Sequence, residues 1–191
     1  MDIVGLHDRA VDETARLVDG VRPGQMDLPT PCAGWDVRAL LAHMVGGNML
    51  WARLAQEGVM VRRPAHGGGP IPDLLGDDPA DAYRRSAAAL QAAWQDPALL
   101  DRTCEIPIGV LPGRAAFHVR LVETVVHAWD LARATGKHPA FDPEVVETAS
   151  QFSRSHLPGD RPPGAPFAPP VTVADDLPAI DLLAAELGRT P

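Results

Sequence analysis

Apolar residues recur every three or four positions along four long stretches of this chain, each bracketed by residues that start or stop helices. The first predicted helix runs from about Asp2 to Asp19, with Ile3, Leu6, Ala10, Leu17 and Val18 as its apolar contacts. It ends near Gly20, ahead of a Pro23-Gly24 turn. Asp36 is a good N-cap for a second helix, read from Trp35 to Leu54 and fading by about Gln56. A third opens at Pro79 behind Asp78, carries Ala82, Tyr83, Ala87, Leu90 and Trp94, and is broken by Asp96-Pro97. After Pro112-Gly113 a fourth continues to Gly136, which is well placed as a left-handed stop. Asp142-Pro143-Glu144 opens a fifth helix that ends near His156, and a last short one is expected within Asp176 to Leu187. Between these lie a Gly- and Pro-rich loop from Arg62 to Asp78, a stretch from Cys104 to Leu111 that suits a short hairpin or extended chain, and an irregular run from Pro158 to Pro170. The long loop could form a lid over an opening in the bundle or a surface insertion. The pattern predicts an all-α protein, a four-helix bundle with long crossovers and a short C-terminal helical extension.

The fourth helix breaks the usual amphipathic rule. Leu121, Val122, Val125, Val126, Ala128, Trp129, Leu131 and Ala132 cover almost its whole circumference, as in a helix buried on all sides. Glu123, His127 and Asp130 nevertheless fall on one narrow line of it, at i, i+4 and i+7. Charged groups inside a protein need pairing, hydrogen bonds or a metal. A carboxylate and an imidazole four residues apart can grip one divalent cation. Arg120 borders the same line and is the rival partner for Glu123. On the second helix His43 shares its stripe with Leu40, Gly47, Leu50 and Leu54, which predicts that it points into the core, with Gly46 and Gly47 leaving space beside it. Two imidazoles and one carboxylate from two helices would leave a fourth coordination position open, as in catalytic zinc sites. A structural ion pair and a hydrogen-bonded core histidine remain open as alternatives. His118 is about half a turn out of phase with His127, and His7, His66, His138 and His156 are expected mostly in solvent.

Length and composition narrow the setting. A chain of 191 residues fits one domain with a full core, here a bundle over about 1–136 and an extension over about 137–191. A formal net charge of -8 argues against nucleic acid, which calls for a clustered basic surface. No apolar run approaches the roughly 20 residues of a membrane span, and the N-terminus lacks a secretory pattern, so a cytoplasmic protein is expected. Cys32 and Cys104 read as separate thiols in a reducing compartment. Cys32 lies just ahead of the second helix, whose N-terminus could lower a thiol pKa, although a small residue in a tight Pro-Cys-Ala-Gly turn explains it as well.

The segment from Thr30 to His43 (TPCAGWDVRALLAH) resembles the motif that opens the second helix in the mycothiol-dependent maleylpyruvate isomerase N-terminal domain family. Glu123 to Gly136 (ETVVHAWDLARATG) resembles that family's second motif, and the likeness spans roughly Met1 to Gly136. The resemblance implies a DinB-like metal-binding four-helix bundle with His43, Glu123 and His127 as metal ligands. The isomerase itself has a second, C-terminal domain that helps to build its active site. This chain ends too early to contain one and is similar to the shorter, single-domain members.

The chemistry that follows is a divalent ion, Zn2+ first, that deprotonates a coordinated small-molecule thiol of the mycothiol type for attack on an electrophile. A metal-dependent thiol S-transferase or related thiol-dependent, isomerase-like enzyme is the leading expectation. Asp130 would orient an imidazole, unless it pairs with Arg133 or Lys137, and Arg120 would meet an anionic substrate. A non-catalytic metal or small-ligand binding module is a second reading. A metal-dependent hydrolase is a third, weakened by the absence of a His-Glu-x-x-His helix. A homodimer formed through an exposed helix face would suit a bundle of this kind.

Overall fold

The computed structural model describes residues 2–59, 73–162 and 165–191. Most of the loop predicted from Arg62 to Asp78, with its expected lid, lies outside the described residues. Helices α1 (Ile3–Asp19), α2 (Val37–Glu57), α3 (Pro79–Ala93) and α4 (Gly113–Thr135) form the bundle. Within it α1 and α2 each pack against both α3 and α4. Asp2, Asp36 and Asp78 cap the first three, each carboxylate accepting a backbone N–H of the first turn. Such caps contribute about 1 kcal/mol apiece. Gly58 and Gly136 close α2 and α4 in the left-handed region, at φ 74° and 68°.

Among the described residues the connection between α3 and α4 holds the one pair of strands. Strands β1 (Thr103–Ile106) and β2 (Gly109–Pro112) pair antiparallel, from Thr103 opposite Pro112 to Ile106 opposite Gly109. The stretch from Cys104 is therefore a hairpin, with Pro107 and Ile108 at its tip. Gly113 joins it directly to α4. A Cβ there would stand 2.0 Å from the carbonyl oxygen of Leu99, so only glycine allows so close an approach.

Helix α5 (Pro143–His156) packs on α1 and α4, and α6 (Ala179–Glu186) packs on α4 and α5. Their apolar residues belong to the main core: Val145, Ala149, Leu183 and Leu187 join Leu6, Trp51, Trp94, Phe117 and Val125 in one cluster. A second cluster, with Leu17, Leu40, Leu41, Tyr83 and Leu131, fills another part of the bundle. The extension also carries a polar clasp. Arg161 donates to the carbonyls of Pro158, Ala168 and Glu186, which fixes the irregular run against the end of α6. Trp129 of α4 donates its indole N–H to Asp181 at 2.6 Å.

Polar groups also lie deep inside the bundle. Asn48 donates to Ser86 at 3.0 Å, Arg120 donates to Asn48, and Thr124 contacts His7 at 3.2 Å. His7 is thus fully buried and not in solvent as expected; it sits on the core side of α1, where its ring lies 4.8 Å from that of Phe117. Burial first, and the Arg120 charge second, push its imidazole well below the usual histidine range. Its Nδ1 has no hydrogen-bond partner among the described residues.

Candidate functional site

Two turns of sequence far apart in the chain meet over α4. Between α1 and α2 the segment around Thr30 is folded back on itself: Thr30 donates to the carbonyl of Trp35 from both its backbone N–H and its hydroxyl. That turn sets Cys32 and Trp35 beside His127. The Trp35 ring lies 4.7 Å from that of His43 and 6.2 Å from that of His127. The two imidazoles meet edge to face at 4.8 Å.

The three residues expected to hold a metal, His43, Glu123 and His127, line one cleft of about 470 Å3. Cys32, Trp35, Phe167 and Arg189 complete much of its wall. His43 does not point into the core as its helical stripe suggested. It is exposed, on the floor of this open cleft. The space that Gly46 and Gly47 leave is also taken by other groups, Leu74 over the first and the Arg120 guanidinium over the second, each 3.1 Å from where a Cβ would stand. The protein atoms around the ring, then the His127 and Arg120 charges, hold its imidazole below the ordinary histidine range, while Asp130 pulls the other way. A neutral ring is the form that can donate a lone pair to a cation.

Glu123 is held from one side. Trp51 donates its indole N–H to Oε2 at 3.2 Å, and Arg120 approaches the same oxygen at 3.4 Å. Both of these contacts fall on Oε2, which leaves Oε1 as the oxygen for a ligand. Arg120 is 4% exposed and is absent from the cleft wall. Its position makes it the partner of Glu123 and Asn48, the alternative its spacing also allowed.

His127 is held by Asp130, whose Oδ2 lies 3.1 Å from Nδ1. An acceptor-only carboxylate places the proton on Nδ1 and leaves Nε2 as the free donor, the arrangement by which carboxylates orient metal-binding histidines. Asp130 pairs with neither Arg133, which lies over the Trp129 ring, nor Lys137, which reaches the carbonyl of Leu17. Its partner is a residue that no local pattern marks. Arg189, 7% exposed, donates to both carboxylate oxygens, at 3.3 and 3.1 Å. Burial alone would raise the Asp130 pKa; the hydrogen bonds from His127 and Arg189 and the Arg189 charge outweigh it and hold the carboxyl below its ordinary value.

Cys32 completes this cluster. Its thiol donates to Asp130 Oδ2 at 3.0 Å, and Arg189 lies 3.5 Å from the sulfur. Burial, followed by the charge and hydrogen bond of Asp130, push the thiol up to about 12, so any gain from the α2 N-terminus is overridden. Cys32, His127 and Asp130 are, among the described residues, the one group of three potential ligands whose donor atoms lie within 4.8 Å of one another. The guanidinium of Arg189 already supplies that group with a positive charge.

Arg189 reaches this place through a backbone that only glycine allows. Gly188 has φ 84°, and a Cβ on it would lie 2.5 Å from that of Ala168 and 2.9 Å from its backbone. The extension therefore supplies one wall of the cleft. Arg189 and Phe167 lie far from both motifs in the sequence, and no periodicity connects them to α4.

Helical bundles commonly house ligand, cofactor and metal sites between facing helices. The chain belongs to the mycothiol maleylpyruvate isomerase N-terminal domain family, whose profile matches residues 7–132. It is 36% identical over 191 residues to an uncharacterized protein of Mycobacterium tuberculosis strain H37Rv, a match covering 100% of this chain and 99% of that one. A protein of strain CDC 1551, also uncharacterized, matches to the same extent. Crystal structures of the mycothiol-dependent maleylpyruvate isomerase and of a histidine-to-alanine mutant of it share the fold, with TM-scores of 0.60 and 0.61 at 15% identity. Those matches cover 80% of this chain and 66% of the isomerase. The all-α, DinB-like bundle expected from the sequence is thus the observed fold. Among the described residues no helix is long and apolar enough to cross a membrane.

Proposed function

We propose that this protein is a thiol-dependent enzyme of the mycothiol type, an S-transferase or isomerase-like catalyst, with a divalent ion, Zn2+ first, held by His43, Glu123 and His127. The observation that carries this reading is that those three side chains line one open cleft. The donor types suit such an ion, although among the described residues only Cys32, His127 and Asp130 bring three donor atoms within 4.8 Å of one another: His127 is oriented by Asp130, and Glu123 has an oxygen free of both Trp51 and Arg120. An ion held there supplies positive charge that favours the ionised form of a thiol bound beside it. Family membership supports the choice of thiol.

The chain's own residues shape the rest. Cys32 donates a hydrogen bond to Asp130 and lies against Arg189, so it is engaged within the wall and the reacting sulfur comes from a small-molecule co-substrate. In a transfer, that sulfur bonds to the electrophilic carbon, the leaving group departs with its electron pair, and the thiol proton passes to solvent. Trp35 and Phe167 give the cleft wall an apolar surface against which a substrate can pack. Arg120 and Asp130 are positioning residues, acting through Glu123 and His127.

The test is a thioether-forming assay with mycothiol and a chloronitrobenzene electrophile. Turnover should require added Zn2+ and fall to background in Glu123→Gln. Metal bound without turnover for mycothiol or any other low-molecular-weight thiol would remove the enzymatic reading and leave a binding module.

A further inference from the structure

A second cavity, of about 320 Å3, shares the wall formed by Glu123, Ala165, Pro166 and Phe167 with the cleft. The hairpin tip, α2, α4 and the irregular run each contribute a side, through Ile106 and Ile108, Trp51, Val119 and Phe167. Its volume is at the small end of ligand pockets, which span roughly 300–1,000 Å3. The lining is mostly apolar, and Ile108 remains 46% exposed although it is a large aliphatic residue on a hairpin tip. Polar groups in the wall are few and engaged. Arg161 spends Nε and Nη1 on three backbone carbonyls, and His156 lies flat against Phe152 with Nδ1 at 3.1 Å from that residue's carbonyl oxygen. Two formal charges face the cavity: the Arg161 guanidinium, whose Nε and Nη1 are already spent on backbone carbonyls, and the Glu123 carboxylate, which repels anions. A carboxylate or dicarboxylate entering this cavity would lose its hydration against Glu123, with Arg161 already largely engaged.

We infer that this cavity binds the uncharged, apolar part of the electrophilic co-substrate, an aromatic ring or short alkyl chain, so that its reactive end meets the cleft at Glu123. Assigning the occupant as co-substrate rests on the thiol-enzyme reading above; the apolar site itself does not. Continuity through Glu123 supports the assignment, since a molecule seated against Trp51 and Val119 extends toward the residue shared with the imidazole side. The architecture thereby selects for a neutral hydrophobic electrophile over a small dianion.

The probe is N-phenylnaphthylamine, a neutral fluorophore whose emission rises and shifts to the blue in apolar surroundings. Wild-type protein should bind it saturably, and maleate should not displace it. Val119→Trp, which fills the cavity, should weaken binding roughly tenfold, equivalent to about 1.4 kcal/mol. Ile108→Asp alters only the exposed tip, keeps the bundle intact by circular dichroism and should weaken binding roughly threefold or more. Chelator-treated protein should bind as well as untreated protein, so a failure of the thiol chemistry and a failure of the cavity register separately. Absence of saturable binding, displacement by maleate, or an unchanged affinity in Ile108→Asp would overturn the assignment.

Discussion

Two buried arginines flank the cleft, and they have opposite origins. Arg120 belongs to the bundle: it lies on α4 and reaches Asn48 and Glu123 within a polar layer that includes Ser86, Thr124 and His7. Arg189 belongs to the extension and reaches Asp130 and Cys32 from beyond α6. The first fixes a carboxylate that can touch a ligand directly; the second fixes a carboxylate that acts through an imidazole. On the proposed reading the bundle would provide the donors and the extension would set the orientation of one of them. On the extension side, the hydrogen bonds of His127 and Arg189 and the Arg189 charge hold the Asp130 carboxyl below its ordinary value against the effect of burial.

The comparison can be broken by removing each cation. Arg189→Met should have the larger effect, costing about 3–5 kcal/mol in urea denaturation, because the fully buried Asp130 carboxylate is left uncompensated. Arg120→Met should cost about 1.5–3 kcal/mol, the range for hydrogen bonds to a charged group, since its partner Glu123 is 23% exposed. The distinguishing result of Arg189→Met should be faster cleavage of the run after Leu157 in limited proteolysis. Equal losses, or a protected tail in Arg189→Met, would contradict the division of roles.

A smaller effect tests the polar layer by itself. His7 has its pKa lowered in the folded state, so below about 6.5 the unfolded chain takes up a proton that the folded one refuses. Stability should therefore be unaffected by this group above that pH and fall as pH drops below it, by up to about 1.4 kcal/mol per pH unit. His7→Gln should flatten this slope between about pH 6.5 and 5 in denaturation series. An unchanged slope would mean that His7 is not held neutral.

Much of the bundle was legible because helix signals are local. Asp36, Asp78, Gly136 and the Asp142-Pro143-Glu144 start all act within one turn of the residues they organise, and each appears where the pattern put it. The line of Glu123, His127 and Asp130 was readable for the same reason, since an α-helix fixes the azimuth of each residue. That azimuth gives the side of the helix but not what covers it. His43 was assigned to the core and lies in a cleft, while His7 was assigned to solvent and lies in the core. Arg189 was invisible because its partner Asp130 is 59 residues away and the link depends on Gly188 crossing Ala168. A buried arginine two residues from a chain end has no sequence signature; the only hint was Gly188 itself, at the end of the last apolar stretch.

The most direct test of the metal centre is divalent-ion content per folded chain after exposure to Zn2+ and removal of excess, for the wild type, His43→Ala and Cys32→Ser. The account predicts about one ion in the wild type and in Cys32→Ser, and almost none in His43→Ala. An ion retained by His43→Ala but lost from Cys32→Ser would move the site to Cys32, His127 and Asp130, and a wild type without bound metal would contradict the centre altogether.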